Sequence, residues 1–248
     1  SIAEVLLPYL ADRPVILVRY PDGIHGKSFF QWNVPVGMPA WIRTMTMHEV
    51  EDDVAVPDPV ASPSSRSFAG RGATRSSRAP GSQRTPRRGF LDDDAATLVY
   101  IANLGCIPLH VLASRAPDLS RADFLTLDFD VKQSELRHAV TLARTLRDLL
   151  DRIGLVGLPK TSGQTGLHVL VPLGPDQSFD TARALAELLG RLLVEQHPGI
   201  ATMDRVVNRR GDKVYVDTGQ TGSTRAIVAP YSARAVAGAT VSTPLSWD

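Results

Sequence analysis

The run Leu125-Thr126-Leu127-Asp128-Phe129-Asp130 carries two carboxylates, Asp128 and Asp130, two residues apart. Leu125, Leu127 and Phe129 alternate with Thr126, Asp128 and Asp130, which is the period of a half-buried strand. Successive side chains of a strand point to opposite faces, so both carboxylates project from one face, with Cα atoms about 7 Å apart. Two such anions repel each other unless a proton or a cation offsets their charge. Carboxylate oxygens so placed suit a hard divalent ion. An Asp-x-Asp pair is common by chance, so its weight depends on what the rest of the chain supplies.

A second motif is Lys160-Thr161-Ser162-Gly163-Gln164-Thr165-Gly166-Leu167-His168. Its glycines permit a tight turn, and successive backbone N–H groups in such a turn form a concavity that accepts phosphate. Lys160, Ser162 and Thr165 add donors, and His168 follows on the next strand. An ordinary polar turn has the same composition, and no Gly-Lys-Ser/Thr closes the motif as a Walker loop would require. In Lys213-Val214-Tyr215-Val216-Asp217 the valines face one way and Tyr215 and Asp217 the other. Asp217 is either a third metal carboxylate or a turn-starting Asp ahead of Thr218-Gly219. Arg209, Arg210, Arg225 and Arg234 surround that strand in sequence. Singly, each reads as a solvated surface charge. Together with three carboxylates and a phosphate-type turn they point to a nucleoside triphosphate, its phosphates bridged by metal and its remaining charge offset by arginine.

These groups need elements to hold them. Residues 15–19 read as a strand after Arg13-Pro14, and Pro21-Asp22-Gly23 as a turn. Phe29-Phe30-Gln31-Trp32 is a short aromatic run, and residues 41–50 alternate as a strand would. Asp92-Asp93-Asp94 opens a helix over 95–103 that Gly105 ends. The clearest helix spans 134–153, with Leu136, Val140, Ala143, Leu146, Leu149, Leu150 and Ile153 as its apolar stripe. A strand over 167–171, a helix over 181–196 and strands over 213–217 and 226–229 follow. Helices and strands alternate without a strict βαβ rhythm, which predicts an α+β fold with a mixed or antiparallel central sheet flanked by helices.

Bulk properties narrow the class. The chain has 248 residues, 43% hydrophobic and 21% charged, as for a globular protein rather than a disordered one. Its single cysteine, Cys106, excludes an intrachain disulfide framework and reads as packing. No apolar run approaches a membrane span and no signal peptide opens the chain, so the expected location is the bacterial cytoplasm, in association with the nucleoid. The net charge of +1 is uneven: residues 61–89 hold seven arginines and no acid, on an otherwise acidic body. Residues 57–88 lack the apolar side chains needed to offset ordering entropy, and disorder is expected there.

Six ordered segments together resemble a known family. They are Arg19-Tyr20-Pro21-Asp22-Gly23-Ile24 with Phe29-Phe30-Gln31; Ala102-Asn103-Leu104-Gly105-Cys106-Ile107 with His110; Leu127-Asp128-Phe129-Asp130; Thr161-Ser162-Gly163 with Gly166-Leu167-His168; Val214-Tyr215-Val216-Asp217; and Val228-Ala229-Pro230-Tyr231-Ser232-Ala233-Arg234. The chain resembles the polymerase domain of bacterial DNA ligase D, a branch of the archaeo-eukaryotic primase superfamily. The resemblance implies a single primase-polymerase domain over 1–248, interrupted by the arginine-rich insertion. It implies that Asp128, Asp130 and Asp217 ligate two divalent ions, Mn²⁺ or Mg²⁺. Ser162 and His168 would hold the triphosphate, Arg210 and Arg234 would contact the nucleotide, and His110 would lie beside it. Phe29 and Phe30 would be the aromatic pair against which a base packs. The implied activity is template-dependent extension of a primer 3′ end with NTP or dNTP. Gap filling at broken DNA ends would follow, with Ku and an ATP-dependent DNA ligase as partners. The chain starts beyond the point where the family carries lysines for a 5′-phosphate, so strong 5′-phosphate recognition is not expected unless the chain is a fragment. Trp32 replaces a lysine found in many relatives, and no ligase motif is present, as expected for a stand-alone or excised polymerase domain.

Three rival readings remain at this level. A primase of the same superfamily would start chains without a primer. A glycosyltransferase with an Asp-x-Asp motif would not need Ser162, His168 and Asp217 together. A non-catalytic nucleic-acid-binding module would leave three carboxylates repelling its own ligand. If the arginine-rich insertion grips DNA phosphates, deleting residues 62–86 lowers the slope of log K against log salt for DNA binding. An unchanged slope marks the insertion as idle.

Overall fold

The computed structural model describes residues 1–47 and 87–248. Most of the segment expected to be disordered over 57–88 lies outside the described residues. Its last two residues do not fit that expectation. Arg87 and Arg88 begin a strand and pair with Met47 and Thr46, so ladder hydrogen bonds rather than apolar content order them.

The chain opens with helix α1 (Ile2–Leu10) and strand β1 (Pro14–Arg19). Strands β2 (Phe29–Gln31), β3 (Thr44–Met47) and β4 (Arg87–Leu91) follow, then helix α2 (Ala95–Asn103) and strand β5 (Cys106–Leu112). Next come β6 (Phe124–Asp130), α3 (Leu136–Arg152), β7 (Leu158–Thr161), β8 (Gly166–Pro172) and α4 (Phe179–Gln196). Short strands β9 (Ala201–Thr202), β10 (Val214–Asp217) and β11 (Ala226–Val228) complete the order.

The class is α+β as expected, but the strands form two sheets rather than one. The first runs β11-β5-β1-β4-β3, with β2 also paired to β1; the second runs β7-β8-β6-β10-β9. All pairs among the described residues are antiparallel except β9 with β10. The division falls between β5 and β6, where Arg13 acts as a clamp. Its guanidinium donates to the Leu112 and Ser114 carbonyls (3.3 and 3.4 Å), pairs with Asp123 and lies over the Phe124 ring. One 5% exposed cation thus ties the end of β5 to the start of β6.

The second sheet is backed by helices: α3 packs on β8, α4 on β6, and the two helices on each other. Helix α3 buries Ala139, Leu142, Ala143, Leu146 and Leu150. The expected stripe is therefore rotated. Leu136 and Ile153, at its two ends, are 57% and 54% exposed, and Val140 is exposed as well, whereas Ala139 and Leu142 beside the expected stripe are buried. Gly154 closes the helix at φ +72°, where an L side chain would be strained.

Asp94 caps α2 by accepting from Thr97 N at 2.8 Å, whereas Asp92 is fully buried with both carboxylate oxygens unpartnered. Burial, then the neighbouring Asp94 and Asp93, push its pKa up to about 7. A carboxyl whose folded pKa exceeds its unfolded value contributes stability at low pH that is lost as pH rises through the folded pKa. Asp92→Asn should therefore raise the unfolding free energy by about 1–3 kcal/mol at pH 8 and by nothing near pH 3. Urea titrations at the two pH values measure this, and equal effects at both would contradict it.

Candidate active site

Strand register builds the site. Asp128 on β6 stands directly opposite His168 on β8 and Asp217 on β10, and His168 stands opposite Lys160 on β7. Directly opposed residues of antiparallel strands share a face. Lys160, His168, Asp128 and Asp217 therefore form one row across four strands. Asp130, two residues from Asp128 on the same face, begins a second row with Tyr215 opposite. The alternation along β6 is realised: Leu125, Leu127 and Phe129 are fully buried, whereas Asp128 and Asp130 stay partly open.

These residues border an open cleft of about 470 Å³ between the two sheets. Asp128, Asp130, Asp217 and His168 line its floor; Phe30 and His110 approach from the first sheet. Ser162, Gln164 and Thr165 form one rim, and Arg210, Arg225 and Arg234 stand around the opening. Three of the expected residues fall elsewhere. Phe29 is on the opposite face of β2 from Phe30, 45% exposed beneath the Arg19 guanidinium. Arg209 lies outside the cleft on a 3-10 turn. Lys160 is 1% exposed behind His168 and does not reach the cleft.

The turn after β7 is held rather than loose. Gly163 has φ +73°, and a Cβ there would sit 2.7 Å from Arg234 Cγ. Thr240 Oγ1 donates to Gly163 O, Arg234 Nη2 donates to Gln164 Oε1 at 2.6 Å, and Ser162 Oγ accepts from Gln164 N at 3.1 Å. The segment carrying Arg234 therefore clamps the phosphate-type turn. Arg210 is stacked with Cζ 3.5 Å from the Tyr215 ring centroid and donates to the Asp204 and Arg205 carbonyls. Asp217 Oδ1 accepts from Gly219 N at 2.7 Å, as a turn-starting Asp does, and the same side chain borders the cleft.

The electrostatics follow from the packing. Burial, then Asp130 and Asp217, push Asp128 well above the usual carboxylate range, with Lys160 and Arg234 opposing. Burial and Asp217 raise Asp130, against Lys132 and Arg210. His168 Nε2 lies 3.4 Å from Asp128 Oδ1, yet burial and the cations Lys160 and Arg234 hold this imidazole well below its ordinary pKa. Burial, Arg234 and Lys160 likewise lower His110 to about 3. Both histidines are therefore neutral at physiological pH.

The donor set fits a hard divalent cation. It offers three carboxylates and no thiolate, and the mutual repulsion that adds to burial in raising the two carboxyls on β6 is one that a cation would offset. Among the described residues no three such side chains already meet at one point. Asp128 leans towards His168 and Asp217 towards its own turn.

Sequence reasoning missed Gln164, Lys132, Tyr20 and Gln220, which also line the cleft. Lys132 and Gln220 had a signal, since each lies within three residues of a carboxylate. Tyr20 and Gln164 became visible only through packing. One glycine sets how closely the rows approach: Gly166 opposes Asp130, and a Cβ there would collide with the Phe129 carbonyl oxygen. Gly166→Ala should destabilise the fold by about 2–4 kcal/mol in urea unfolding. A wild-type midpoint would contradict that close approach.

Comparison with known proteins agrees with this geometry. The family model described as LigD, primase-polymerase domain, matches residues 1–63 and 68–248. The chain is 33% identical over 251 residues to the multifunctional non-homologous end joining protein LigD of Pseudomonas aeruginosa, covering 98% of this chain and 25% of that protein. It is 29% identical over 256 residues to the multifunctional non-homologous end joining DNA repair protein LigD of Mycobacterium tuberculosis, covering 100% of this chain and 29% of that protein. It is 26% identical over 249 residues to the bifunctional LigD of Bacillus subtilis, covering 100% of this chain and 34% of that protein. The chain thus spans a quarter to a third of these relatives. The solved polymerase domain of Mycobacterium tuberculosis ligase D in complex with DNA superposes with a TM-score of 0.80 at 28% identity, over 99% of this chain and 77% of that one.

Proposed function

Because this chain belongs to the LigD primase-polymerase domain family and is a DNA-directed nucleotidyltransferase, we propose that the cleft extends a primer 3′ end on a template with NTP or dNTP. The observation that carries the reading is the row of Asp128 and Asp217 directly opposed on adjacent strands, with Asp130 two residues away on the same face. Those three carboxylates would hold two divalent ions, Mn²⁺ or Mg²⁺. Bound there, the ions would lower the pKa of the primer 3′-hydroxyl and neutralise charge on the reacting phosphates.

The chain's own residues supply the rest. Ser162, Thr165 and the clamped turn between them would receive the triphosphate through backbone N–H and hydroxyl donors. Arg210 and Arg234 would offset its remaining charge; both are fixed before substrate arrives, Arg210 by its stack on Tyr215 and Arg234 by Gln164. His168 would stand beside the phosphates as a neutral N–H donor. From the first sheet, Phe30 would pack against a base and neutral His110 beside the sugar; the two rings already meet edge to face at 6.1 Å. Phe29 would act with them only by reaching round the edge of β2. The 3′ oxygen attacks the α-phosphorus, the bond to the β-phosphate oxygen breaks, and pyrophosphate leaves, with no protein nucleophile.

One domain spanning 1–248 would hold all these parts, with the arginine-rich insertion inside it. The substrate would be a gapped or broken DNA end in non-homologous end joining, with Ku and an ATP-dependent ligase as partners; the names of the relatives support the end-joining role alone. Among the described residues no helix is long and apolar enough to cross a membrane.

Asp128→Ala should reduce primer extension by about 10²–10³-fold or more while leaving DNA binding intact. Extension and binding measured on one preparation test this, and undiminished synthesis would rule the mechanism out. The same assay without primer distinguishes chain extension from de novo priming.

A further inference from the structure

Lys160 is the one buried cation of the acidic row, and neither the triphosphate nor the cleft can touch it. Its Nζ lies 2.7 Å from Ser242 Oγ and 2.8 Å from His168 Nδ1. Ser242 Oγ in turn lies 2.8 Å from the Thr161 carbonyl. At the far end of the row His168 Nε2 faces Asp128 Oδ1 at 3.4 Å.

The direction of this chain of contacts is set by the Thr161 carbonyl at one end and by the Lys160 ammonium. The Thr161 carbonyl can only accept, so the Ser242 hydroxyl proton is committed to it. Ser242 Oγ must then accept from Lys160. On its other side the Lys160 Nζ faces His168 Nδ1 at 2.8 Å, and an ammonium only donates, so Nδ1 must accept. A neutral imidazole has a single N–H, which is then left on Nε2, the nitrogen facing Asp128. An Nδ1–H would instead set two donors face to face. The Lys160 ammonium has three N–H bonds, enough to serve both neighbours.

We propose that Lys160 is a positioning residue: by donating to Nδ1 it fixes His168 as the Nε2–H tautomer aimed at Asp128 and the cleft. The assignment of Asp128 to metal and substrate rests on the function proposed above, but the tautomer does not. Lys160 is locked by its surroundings as well. Its backbone bridges to Pro244, and the next residue exchanges hydrogen bonds with Thr243 on both its amide and its hydroxyl. The segment that delivers Ser242 to Lys160 is the one that carries Arg234 over the turn. Nucleotide-side and carboxylate-side groups are thereby tied to one buried amine.

The test is the ring-nitrogen spectrum of His168 in the full chain without added metal. The chain has six histidines, so ¹⁵N-histidine labelling with a His168→Gln control assigns the signal. The wild type should show the Nε2–H form, and Lys160→Met should move His168 to a mixture or to Nδ1–H. In primer extension, Lys160→Met should lower kcat by about 10–100-fold, as loss of partners behind a metal site does. The KM for nucleotide should change much less. If Lys160→Met fails to fold, Ser242→Ala carries the same spectroscopic test, with a partial shift towards Nδ1–H expected. A pure Nε2–H signal in the variant overturns the proposal whatever happens to activity. So does a loss expressed mainly in KM, which would make Lys160 a direct nucleotide contact. If the wild type has no polymerase activity, the functional reading fails and the spectrum still decides the tautomer.

Discussion

Two carboxylates directly opposite each other on adjacent antiparallel strands are a destabilising pair, and the rest of this site is arranged around that fact. Asp128 and Asp217 occupy that relation, and Asp130 adds a third charge on the same face. The protein does not remove the repulsion. It distributes partial compensation among Lys160, Lys132, Arg210 and Arg234 while burial keeps the carboxyls costly to ionise. Added positive charge would relieve the repulsion that remains. In the proposed reaction that imbalance would be offset by the divalent ions, while Arg210 and Arg234 are held by Tyr215 and Gln164.

The two sheets divide the labour. The second sheet carries the charged row, and its helices α3 and α4 form the rigid backing that a precise cross-strand geometry needs. The first sheet brings Phe30 and the neutral His110 to the cleft, two rings that add no charge to it. Arg13 keeps the two in relation where the chain passes from one to the other. The C-terminal segment adds a second link. It anchors Ser242 and Thr243 on β7 and holds Arg234 over the turn.

Much of this was legible in the amino-acid order. Period-2 alternation at 125–130 placed two carboxylates on one face, and β6 is that strand. The amphipathic run near 134–153 located α3, although the exposed ends of the helix turned the stripe. What escaped did so for physical reasons. Strand β5 has Pro108 in a central strand, which argues against a strand; the proline is tolerated because the pairing with β1 shifts register beside it. Helix α1 is short and contains Pro8, so its pattern is weak. Phe29 and Phe30 looked like a pair, but adjacent residues on a strand cannot share a face. Lys160 sat in a motif rich in phosphate-type donors, and only the covering segment at 241–244 shows that its amine is turned away from solvent. Contacts between residues some 80 positions apart leave no local trace.

The opposed rows also bear on how the chain reaches this fold. Side chains in a strand change face with each residue, so a slip of β6 by one position would rotate Asp128 and Asp130 under α4 and bring Leu127 and Phe129 into the cleft. That misregistered sheet would bury two unpaired anions in a hydrocarbon interior, a far larger penalty than any their native neighbours impose. The aspartates that strain the finished structure therefore also act as register marks during its assembly. Replacing them with apolar residues would give a chain that is more stable on paper and less certain of which sheet to form.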